Sequence, residues 1–436
     1  MTPTPPPWTS RLDHDEVCAF LFPGTGAAGA PDLRALAASG PVYARAVDDV
    51  LDAVDQALPP PAAEPSGPSA SPPAGSSAGL SVTRAAEGVP VPGGWPSMRR
   101  ILLDEPDDYR AAARAPGVAQ LAAYTASVAV DRVLRAAGTV PAFTVGQSFG
   151  EIAALVCAGA FSVGDGARMA FTLVDVLARR GAGGGMGLLE ASEDDTLAII
   201  AEAAREARAV RERQAVRRAH RVRPGGRVPA RAAAAGTVVV ACLNAPSATV
   251  VSGPDAELEA VLEAARDRHV RAVRLAVPYL SHHPAMAGAD HEWYETIRRF
   301  PQRPLQARVH SPVRGRAYRD DDDLHRALAD CIVRPVRLPA TLREVAEAGA
   351  TVFVEAGAGD ALCRCARLTV PDVATLAPLR ERPRPGATPP VGKSAPGVLP
   401  EDAPVRLPAR PQPHAGSPAE PRAESGAEAR EEAPDH

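Results

Sequence analysis

The chain has 436 residues and nearly balanced charge, with 48 basic and 52 acidic residues and a net charge of −4, so there is no global electrostatic case for binding nucleic acid or another polyanion. Prolines number 46, about twice their usual share, and many lie in segments too poor in apolar side chains to pack. Hydrophobic residues still form 45% of the chain, which predicts a globular protein with a sizeable core.

In chain order, compact apolar runs that end at turn residues predict strands, and longer amphipathic runs predict helices. The predicted strands are 17–23, 141–145, 237–244, 248–253, 270–277 and 351–357, and the predicted helices are 118–138, 151–159 and 254–268. Because strands and helices alternate, the fold class is predicted to be α/β with a parallel sheet and a smaller α+β insert.

Several segments are predicted to lie outside the packed core. Residues 1–15 and 381–436 are predicted to be disordered termini, and residues 59–98 a flexible insertion, because proline and small polar residues predominate. Residues 205–231 carry ten arginines, within an Arg-rich insertion predicted over 205–236. This run fits either a solvated helix and loop or a docking patch for an acidic partner.

The cysteines and the apolar runs argue against a zinc protein, a secreted protein and a membrane protein. The six cysteines are scattered, and Cys363-x-Cys365 lacks the spacing and the second pair of a zinc site, so we expect buried free thiols and no metal. No basic region followed by an apolar stretch opens the chain, and no apolar run approaches the ~20 residues that span a bilayer. We therefore expect a cytoplasmic protein without a membrane partner.

One motif indicates nucleophilic catalysis. The sequence Gly146-Gln147-Ser148-Phe149-Gly150 fits G-x-S-x-G between a predicted strand and a predicted helix. In such a nucleophile elbow, glycines permit the tight turn that exposes the serine hydroxyl. The helix N-terminus beneath it favours negative charge that develops on a bound carbonyl.

A serine nucleophile needs a base to remove its proton. Ser281-His282-His283-Pro284 follows a predicted strand, at a junction where functional side chains are often placed. On chemistry alone, either histidine could be the base.

Eight motifs in order resemble the acyltransferases of fatty-acid and polyketide synthesis, the relatives of malonyl-CoA:acyl-carrier-protein transacylase. The motifs are LFPGTG (21–26), Gln120 on a helix, GQSFGE (146–151), GGGMGLL (183–189), NAPSATVVSG (244–253), YLSHHPAM (279–286), RPVRL (334–338) and VFVEAGAG (352–359). The resemblance implies an α/β-hydrolase-like large subdomain, 16–182 and 276–380, and an inserted ferredoxin-like small subdomain, 183–275.

The resemblance also assigns roles to residues. Ser148 is the nucleophile and His282 the base, and a backbone carbonyl, by motif position that of Arg337, orients the imidazole. The oxyanion hole is formed by the backbone N–H groups of Thr25 and Phe149.

The resemblance places further residues at the substrate. The sequence departs from the family pattern at Gln147, at Leu173 and in the extra arginine-rich segment within the expected small subdomain. The implied substrate-binding residues are Gln120, Gln147, Leu173, Tyr279, Ser281 and Asn244. Thr25 replaces the usual glutamine, and Gln147 the usual histidine before the serine. Leu173 stands where malonyl-type enzymes have an arginine that holds the substrate carboxylate.

The missing arginine predicts an acyl group without a terminal negative charge. The YLSH sequence points to a charged group instead, because it resembles the corresponding motif of relatives that use methylmalonyl groups. We give more weight to the arginine, since an unpaired buried carboxylate costs several kcal/mol. If a malonyl group is used instead, Arg179 or Arg180 is the candidate partner for its carboxylate, while Arg168 matches an outward-facing family arginine.

The predicted function is therefore transfer of a neutral or aminoacyl group in polyketide-type, antibiotic-producing biosynthesis. The acyl group passes from an acyl-CoA or acyl-carrier-protein donor through Ser148 to the phosphopantetheine thiol of an acyl carrier protein. No permanently bound cofactor is implied, the protein is expected to be a monomer, and the carrier is predicted to dock at Arg205–Arg231.

Three other functions remain open: an editing hydrolase that clears carrier proteins, a malonyl-type transacylase, and a silent module that only docks carriers. The G-x-G-x-x-G at 24–29 also permits a dinucleotide site, although Pro23 and the absence of a second strand ending in an acidic residue argue against it.

Overall fold

A computed structural model describes residues 16–24, 29–58, 96–219 and 237–380, with side chains of the helix over 193–219 described as far as residue 214. The predicted disordered termini, residues 59–95 of the predicted insertion and residues 220–236 lie outside the described residues. Residues 16–380, where described, belong to one compact unit.

The order of elements is that of an α/β protein. The strands are β1 (Cys18–Phe22), β2 (Phe143–Gly146), β3 (Gly184–Leu189), β4 (Val239–Ala245), β5 (Ala248–Pro254), β6 (Ala272–Arg274), β7 (Arg308–Ser311), β8 (Arg316–Ala317), β9 (Val336–Arg337), β10 (Val352–Glu355) and β11 (Ala374–Leu376). The helices are α1 (Arg34–Ala37), α2 (Pro41–Ala57), α3 (Tyr109–Ala112), α4 (Val118–Ala136), α5 (Gly150–Cys157), α6 (Val163–Arg180), α7 (Glu193–Ala219), α8 (Asp255–Asp267), α9 (Ala289–Ile297), α10 (Leu324–Asp330), α11 (Leu338–Glu347) and α12 (Ala361–Thr369).

The larger sheet has six strands in the order β11-β10-β1-β2-β7-β8, all parallel except β8. Every residue of the CAFLF strand β1 is buried, as expected for a parallel strand covered on both faces. Phe20 and Phe22 pack into the core on one face, and Ala19 and Leu21 into that on the other. This sheet fixes the positions at which β1, β2 and β10 end.

The smaller sheet has the order β6-β3-β5-β4-β9 and is antiparallel except for the β4–β9 pair. A separate apolar cluster joins β3 and β5 to α7 and α8, with Leu189, Ile199, Val251 and Leu258 buried in it. Strand β9 comes from the range predicted for the large subdomain. The loop before β9 therefore connects α10 to the smaller sheet.

Most predicted elements are confirmed within a few residues, including the strands now identified as β1, β2, β4, β5 and β10 and the helices α4, α5 and α8. The strand predicted over 270–277 is shorter, since β6 covers only Ala272–Arg274. The predicted insertion also ends earlier than residue 98. Met98 is buried in the core, and the carboxylate of Asp55 accepts hydrogen bonds from the Ser97 hydroxyl and the Met98 N–H.

No helix within the described residues is both long and apolar enough to cross a membrane.

Candidate active site

The G-x-S-x-G segment forms a sharp turn between β2 and α5. Ser148 has φ of +55°, in the left-handed region that a non-glycine residue adopts only when its surroundings enforce it. The turn is closed by hydrogen bonds from the Gly150 N–H to the Gln147 carbonyl and from the Glu151 N–H to the Ser148 carbonyl. The serine is thus held at the carboxyl end of a parallel strand, at the N-terminus of α5.

The two glycines of the motif are required by close packing. A Cβ on Gly150 would lie 2.1 Å from the Phe22 carbonyl oxygen, and one on Gly146 would lie 2.4 Å from the Glu151 Cα. Both neighbouring atoms are backbone, so neither can move away without displacing a strand or a helix. The glycines let β1, β2 and α5 approach closely enough to form the turn.

Ser148 and His282 form the centre of the site. The Ser148 Oγ lies 2.6 Å from the His282 Nε2, and the His282 Nδ1 lies 2.9 Å from the Arg334 carbonyl oxygen. Since a carbonyl only accepts, Nδ1 carries the proton and donates it, which leaves Nε2 free to accept from the serine hydroxyl. His282, like Ser148, has a left-handed backbone, with φ of +53°.

The orienting carbonyl was predicted to belong to Arg337, and this prediction is wrong. Val336 and Arg337 form β9 and pair with Cys242 and Leu243 of β4, so the Arg337 backbone is committed to the smaller sheet. The carbonyl that meets His282 belongs to Arg334, three residues earlier in the same motif.

The turn that presents this carbonyl is held by Asp330. Its carbonyl accepts from the Arg334 N–H, and its carboxylate is paired with three arginines. These are Arg314 at 3.3 Å, Arg326 at 2.9 Å and Arg334 at 3.5 Å. The Arg334 carbonyl is therefore fixed by a network that sequence reasoning did not identify.

His283 faces away from the serine. Its Nε2 lies 2.7 Å from the Thr237 carbonyl, and its Nδ1 accepts from the Ala285 N–H at 3.0 Å. Its own N–H donates to the Ile332 carbonyl. His283 therefore ties the loop after β6 to neighbouring segments, and only His282 of the two contacts Ser148.

Burial controls the titration of His282. The side chain is 3% exposed, and loss of solvation lowers the pKa of its imidazole to about 4, although the hydrogen bond to the Arg334 carbonyl acts in the opposite direction. At neutral pH the imidazole is uncharged and can accept a proton.

Glu151, the first residue after the motif, is buried behind the nucleophile. Its carboxylate accepts from the Ser311 and Tyr318 hydroxyls, each at 2.7 Å, and its Oε2 lies 3.6 Å from the Cys331 Sγ. Burial raises the pKa of this carboxyl to about 7. Glu151 links α5 to the segment that carries Asp330 and Arg334, and its role was not predicted from the sequence.

A cavity of about 670 Å³ opens beside Ser148 and His282. Its described lining is mostly apolar and comes from α5, α6, α9, the smaller sheet and α12. The predicted substrate residues Gln147, Leu173, Tyr279, Ser281 and Asn244 all line it.

Gln147 and Tyr279 are held by polar partners. The Gln147 amide donates to the Asn244 side chain at 2.5 Å, which joins the nucleophile turn to β4 of the smaller sheet. The Tyr279 hydroxyl is hydrogen bonded to Gln120. Gln120 is thus a partner of a cavity residue and does not itself line the cavity.

Leu173 lies in the cavity wall, and none of the three nearby arginines takes its place. Arg168 pairs with Asp165, and Arg179 and Arg180 pair with Glu292 at 2.7 Å each. These arginines are largely exposed and none belongs to the described lining. The alternative carboxylate partners are therefore engaged elsewhere.

Of the two predicted oxyanion donors, only Phe149 lies within the described residues. Phe149 lines the cavity, and its N–H makes no hydrogen bond within the described residues. Thr25 and most of the G-x-G-x-x-G segment lie outside the described residues. Among the residues that the structure describes, no group of His, Cys, Asp or Glu could hold a metal ion.

The comparisons with known proteins agree with this fold. Residues 200–386 match the family described as the acyl transferase domain. The spectinabilin polyketide synthase system protein NorA' of Streptomyces orinoci is 34% identical over 55% of this chain and 6% of its own length. The chain therefore spans only a small part of this curated relative.

Two solved structures share the fold. The malonyl CoA-acyl carrier protein transacylase of Coxiella burnetii has a TM-score of 0.61 and 21% identity, covering 84% of this chain and 94% of that one. A malonyl transacylase in complex with a type II polyketide synthase acyl carrier protein has a TM-score of 0.60 and 20% identity, covering 83% and 95%. At these identities, the likeness shows the fold alone.

Proposed function

We propose that this chain is a member of the acyl transferase domain family and that it transfers an acyl group from a thioester donor to an acyl carrier protein through an ester on Ser148. The observation that carries the proposal is the hydrogen-bonded series from Ser148 through His282 to the Arg334 carbonyl, at the side of a mostly apolar cavity. The relative from Streptomyces orinoci is a protein of the spectinabilin polyketide synthase system, which supports a place for this chain in antibiotic-producing polyketide biosynthesis.

In the first half-reaction, the Ser148 hydroxyl attacks the thioester carbonyl carbon while His282 Nε2 takes the hydroxyl proton. Negative charge develops on the carbonyl oxygen, where the Phe149 N–H and the N-terminus of α5 stabilise it. Collapse breaks the carbon–sulfur bond, and the imidazolium returns its proton to the departing thiolate. Arg334 stabilises the imidazolium through its carbonyl.

The second half-reaction repeats these steps with a different nucleophile. His282 takes the proton of the carrier's phosphopantetheine thiol, and the thiolate attacks the serine ester. Collapse restores the Ser148 hydroxyl and leaves the acyl group on the carrier. The protein supplies all of the acid–base chemistry, and the phosphopantetheine thioester of coenzyme A or of a carrier is the substrate.

The proposal also covers the subdomain architecture, the acyl group, the oligomeric state and the donor. The larger parallel sheet and the smaller antiparallel one support an α/β-hydrolase-like subdomain with a ferredoxin-like insert. Leu173 in the cavity wall supports a non-malonyl acyl group. We expect a monomer, with either an acyl-CoA or an acyl carrier protein as donor.

Intact-mass spectrometry tests the function. The protein is incubated with a panel of acyl-CoAs that includes acetyl, malonyl, methylmalonyl and hexanoyl, and a holo acyl carrier protein is then added. We expect one acyl increment on the protein, which then moves to the carrier. Absence of any adduct would refute the proposal, and equally fast loss of the adduct with and without carrier would identify the editing hydrolase instead.

The exposed half of α7 is the proposed carrier-docking surface. No side chain between Ala204 and Gln214 is buried, and arginines 205, 208, 211 and 213 are exposed. Arg208 pairs with Glu212, and Arg211 with Glu257. Acyl carrier proteins are acidic, so exposed arginines here would speed their association and make it salt-sensitive.

Replacing Arg205, Arg208 and Arg213 by glutamine together should lower kcat/KM for the carrier about tenfold at low salt, because electrostatic attraction acts mainly on association. Loading from a small N-acetylcysteamine thioester should not change. The matched control replaces the exposed Arg110, Arg114 and Arg319, which removes the same charge elsewhere. Equal loss in both triple variants, or loss of self-loading, would contradict docking at α7.

A further inference from the structure

Most of the buried residues that line the active-site cavity are apolar. Six described residues illustrate its wall: Ile152, Leu173, Val174, Leu177, Trp293 and Ile332. All six are buried. Trp293 is the largest of them, only 1% exposed, and its helix α9 packs against α6, which carries Leu173.

Three polar side chains of the described lining, those of Trp293, Tyr279 and Gln147, already have protein partners. The Trp293 Nε1 donates to the Thr172 hydroxyl at 3.2 Å, and the Tyr279 hydroxyl bonds to Gln120. The amide of Gln147 bonds to Asn244. A ligand carboxylate or ammonium placed here would break these bonds or remain unpaired, and either outcome is costly.

The charged residues of the described lining, Glu190 and Arg364, are exposed to solvent. Glu190 pairs with Arg271, and Arg364 pairs with Asp360. Leu368, which lines the cavity near Arg364, is 58% exposed, so this side forms the mouth.

We infer that the acyl group is an uncharged hydrocarbon chain longer than acetyl and that Trp293 limits its length. This rests on the proposed acyl transfer and narrows its substrate from neutral or amino-bearing groups to apolar ones. Each methylene that enters the wall contributes about 0.8 kcal/mol, or about fourfold in loading rate. Four added methylenes, from acetyl to hexanoyl, therefore raise kcat/KM for loading roughly two hundredfold.

The experiment measures kcat/KM for acylation of Ser148 across straight-chain acyl-CoAs from acetyl to dodecanoyl. Two pairs of acyl groups with the same shape separate the effect of charge from that of size. Isovaleryl is compared with malonyl, which carries a carboxylate, and heptanoyl with ε-aminocaproyl, which carries an ammonium. We expect a rise with length followed by a fall, and at least a roughly hundredfold preference for the uncharged member of each pair. A flat length series, or preference for malonyl or ε-aminocaproyl, would overturn the inference while leaving acyl transfer intact.

Two variants locate the determinants. Trp293→Phe, and Trp293→Ala if it folds, should move the optimum to longer chains, and an unchanged optimum in a folded variant would remove Trp293 from the inference. Leu173→Arg should lower the ratio of isovaleryl to malonyl loading at least tenfold, because the guanidinium can pair with a carboxylate. If wild type and all variants fail to load any acyl group, the proposed function itself fails.

Discussion

Replacing Ser148 by alanine is expected to abolish covalent loading by every acyl thioester and to lower kcat/KM for transfer by roughly a thousandfold or more, because the ester intermediate forms on the Ser148 hydroxyl. The measurement is intact-mass spectrometry with peptide mapping, using acyl-CoA donors, together with carrier acylation. Binding energy and the remaining Phe149 N–H can support only slow direct transfer.

Cysteines are the competing nucleophiles in this cavity, and their environment argues against them. Cys242, Cys331 and Cys365 line it, but burial raises the pKa of the Cys242 thiol to about 12 and that of the Cys365 thiol to about 11. The pKa of Cys331 also lies well above its ordinary value, through burial and the nearby Glu151 carboxylate. All three are protonated thiols at neutral pH and therefore poor nucleophiles.

The matched control for this prediction is Ser247→Ala, which removes an exposed hydroxyl at the same cavity and should still load normally. An acyl adduct that persists in Ser148→Ala, mapped to any serine or cysteine, would show that the nucleophile lies elsewhere.

The sequence predicted the parts of the site that depend on side-chain identity and local geometry. The turn at Ser148 requires glycines on both sides, and this requirement is visible in five consecutive residues. The pairing of Ser148 with His282 spans 134 residues. The family pattern selected His282, whereas residue chemistry alone did not distinguish it from His283.

The parts that sequence reasoning missed depend on tertiary packing. A carbonyl group has no side-chain signature, so the choice between Arg334 and Arg337 depended on where β9 begins, and a two-residue strand leaves no periodic pattern. Arg334 precedes Pro335, and a residue before proline is biased toward extended backbone. This bias was the one sequence signal at the orienting carbonyl. No role was predicted for Trp293, because the helix that carries it, α9, was not predicted.

Substituting His282 by alanine is expected to lower the rate of Ser148 acylation by roughly 10²–10⁴-fold, the usual contribution of a positioned general base. The matched control is His283→Ala, which removes a neighbouring imidazole bonded to Thr237 and Ala285 rather than to the nucleophile. It should change acylation only a few-fold in protein that remains folded. A larger loss in His283→Ala would reverse the assignment of the base.

The pH dependence gives His282 a second, independent test. With its pKa lowered to about 4, the imidazole stays neutral through mildly acidic pH, so wild-type acylation should hold its plateau below pH 6 and fall only near pH 4. An ordinary histidine base would lose activity near its usual pKa of 6.5. Loss of acylation centred near pH 6.5, in protein still folded, would contradict burial as the control of this group.

Folding stability should respond to the same group with a defined sign. Between pH 4 and 6.5 the unfolded chain binds a proton at residue 282 that the folded protein does not, so the stabilisation from neutral His282 is complete above pH 6.5 and is lost as pH falls toward 4. Over the whole pH window this stabilisation amounts to about 3 kcal/mol.

The buried Glu151 carboxyl has the opposite effect, because its raised pKa reduces the stability of the folded protein as pH rises from 4.5 to about 7. Glu151 is present in both proteins, so the difference in unfolding free energy between wild type and His282→Ala isolates His282. That difference, measured by urea unfolding, should grow in favour of wild type from pH 4 to 6.5, and a difference independent of pH would contradict the buried, neutral imidazole.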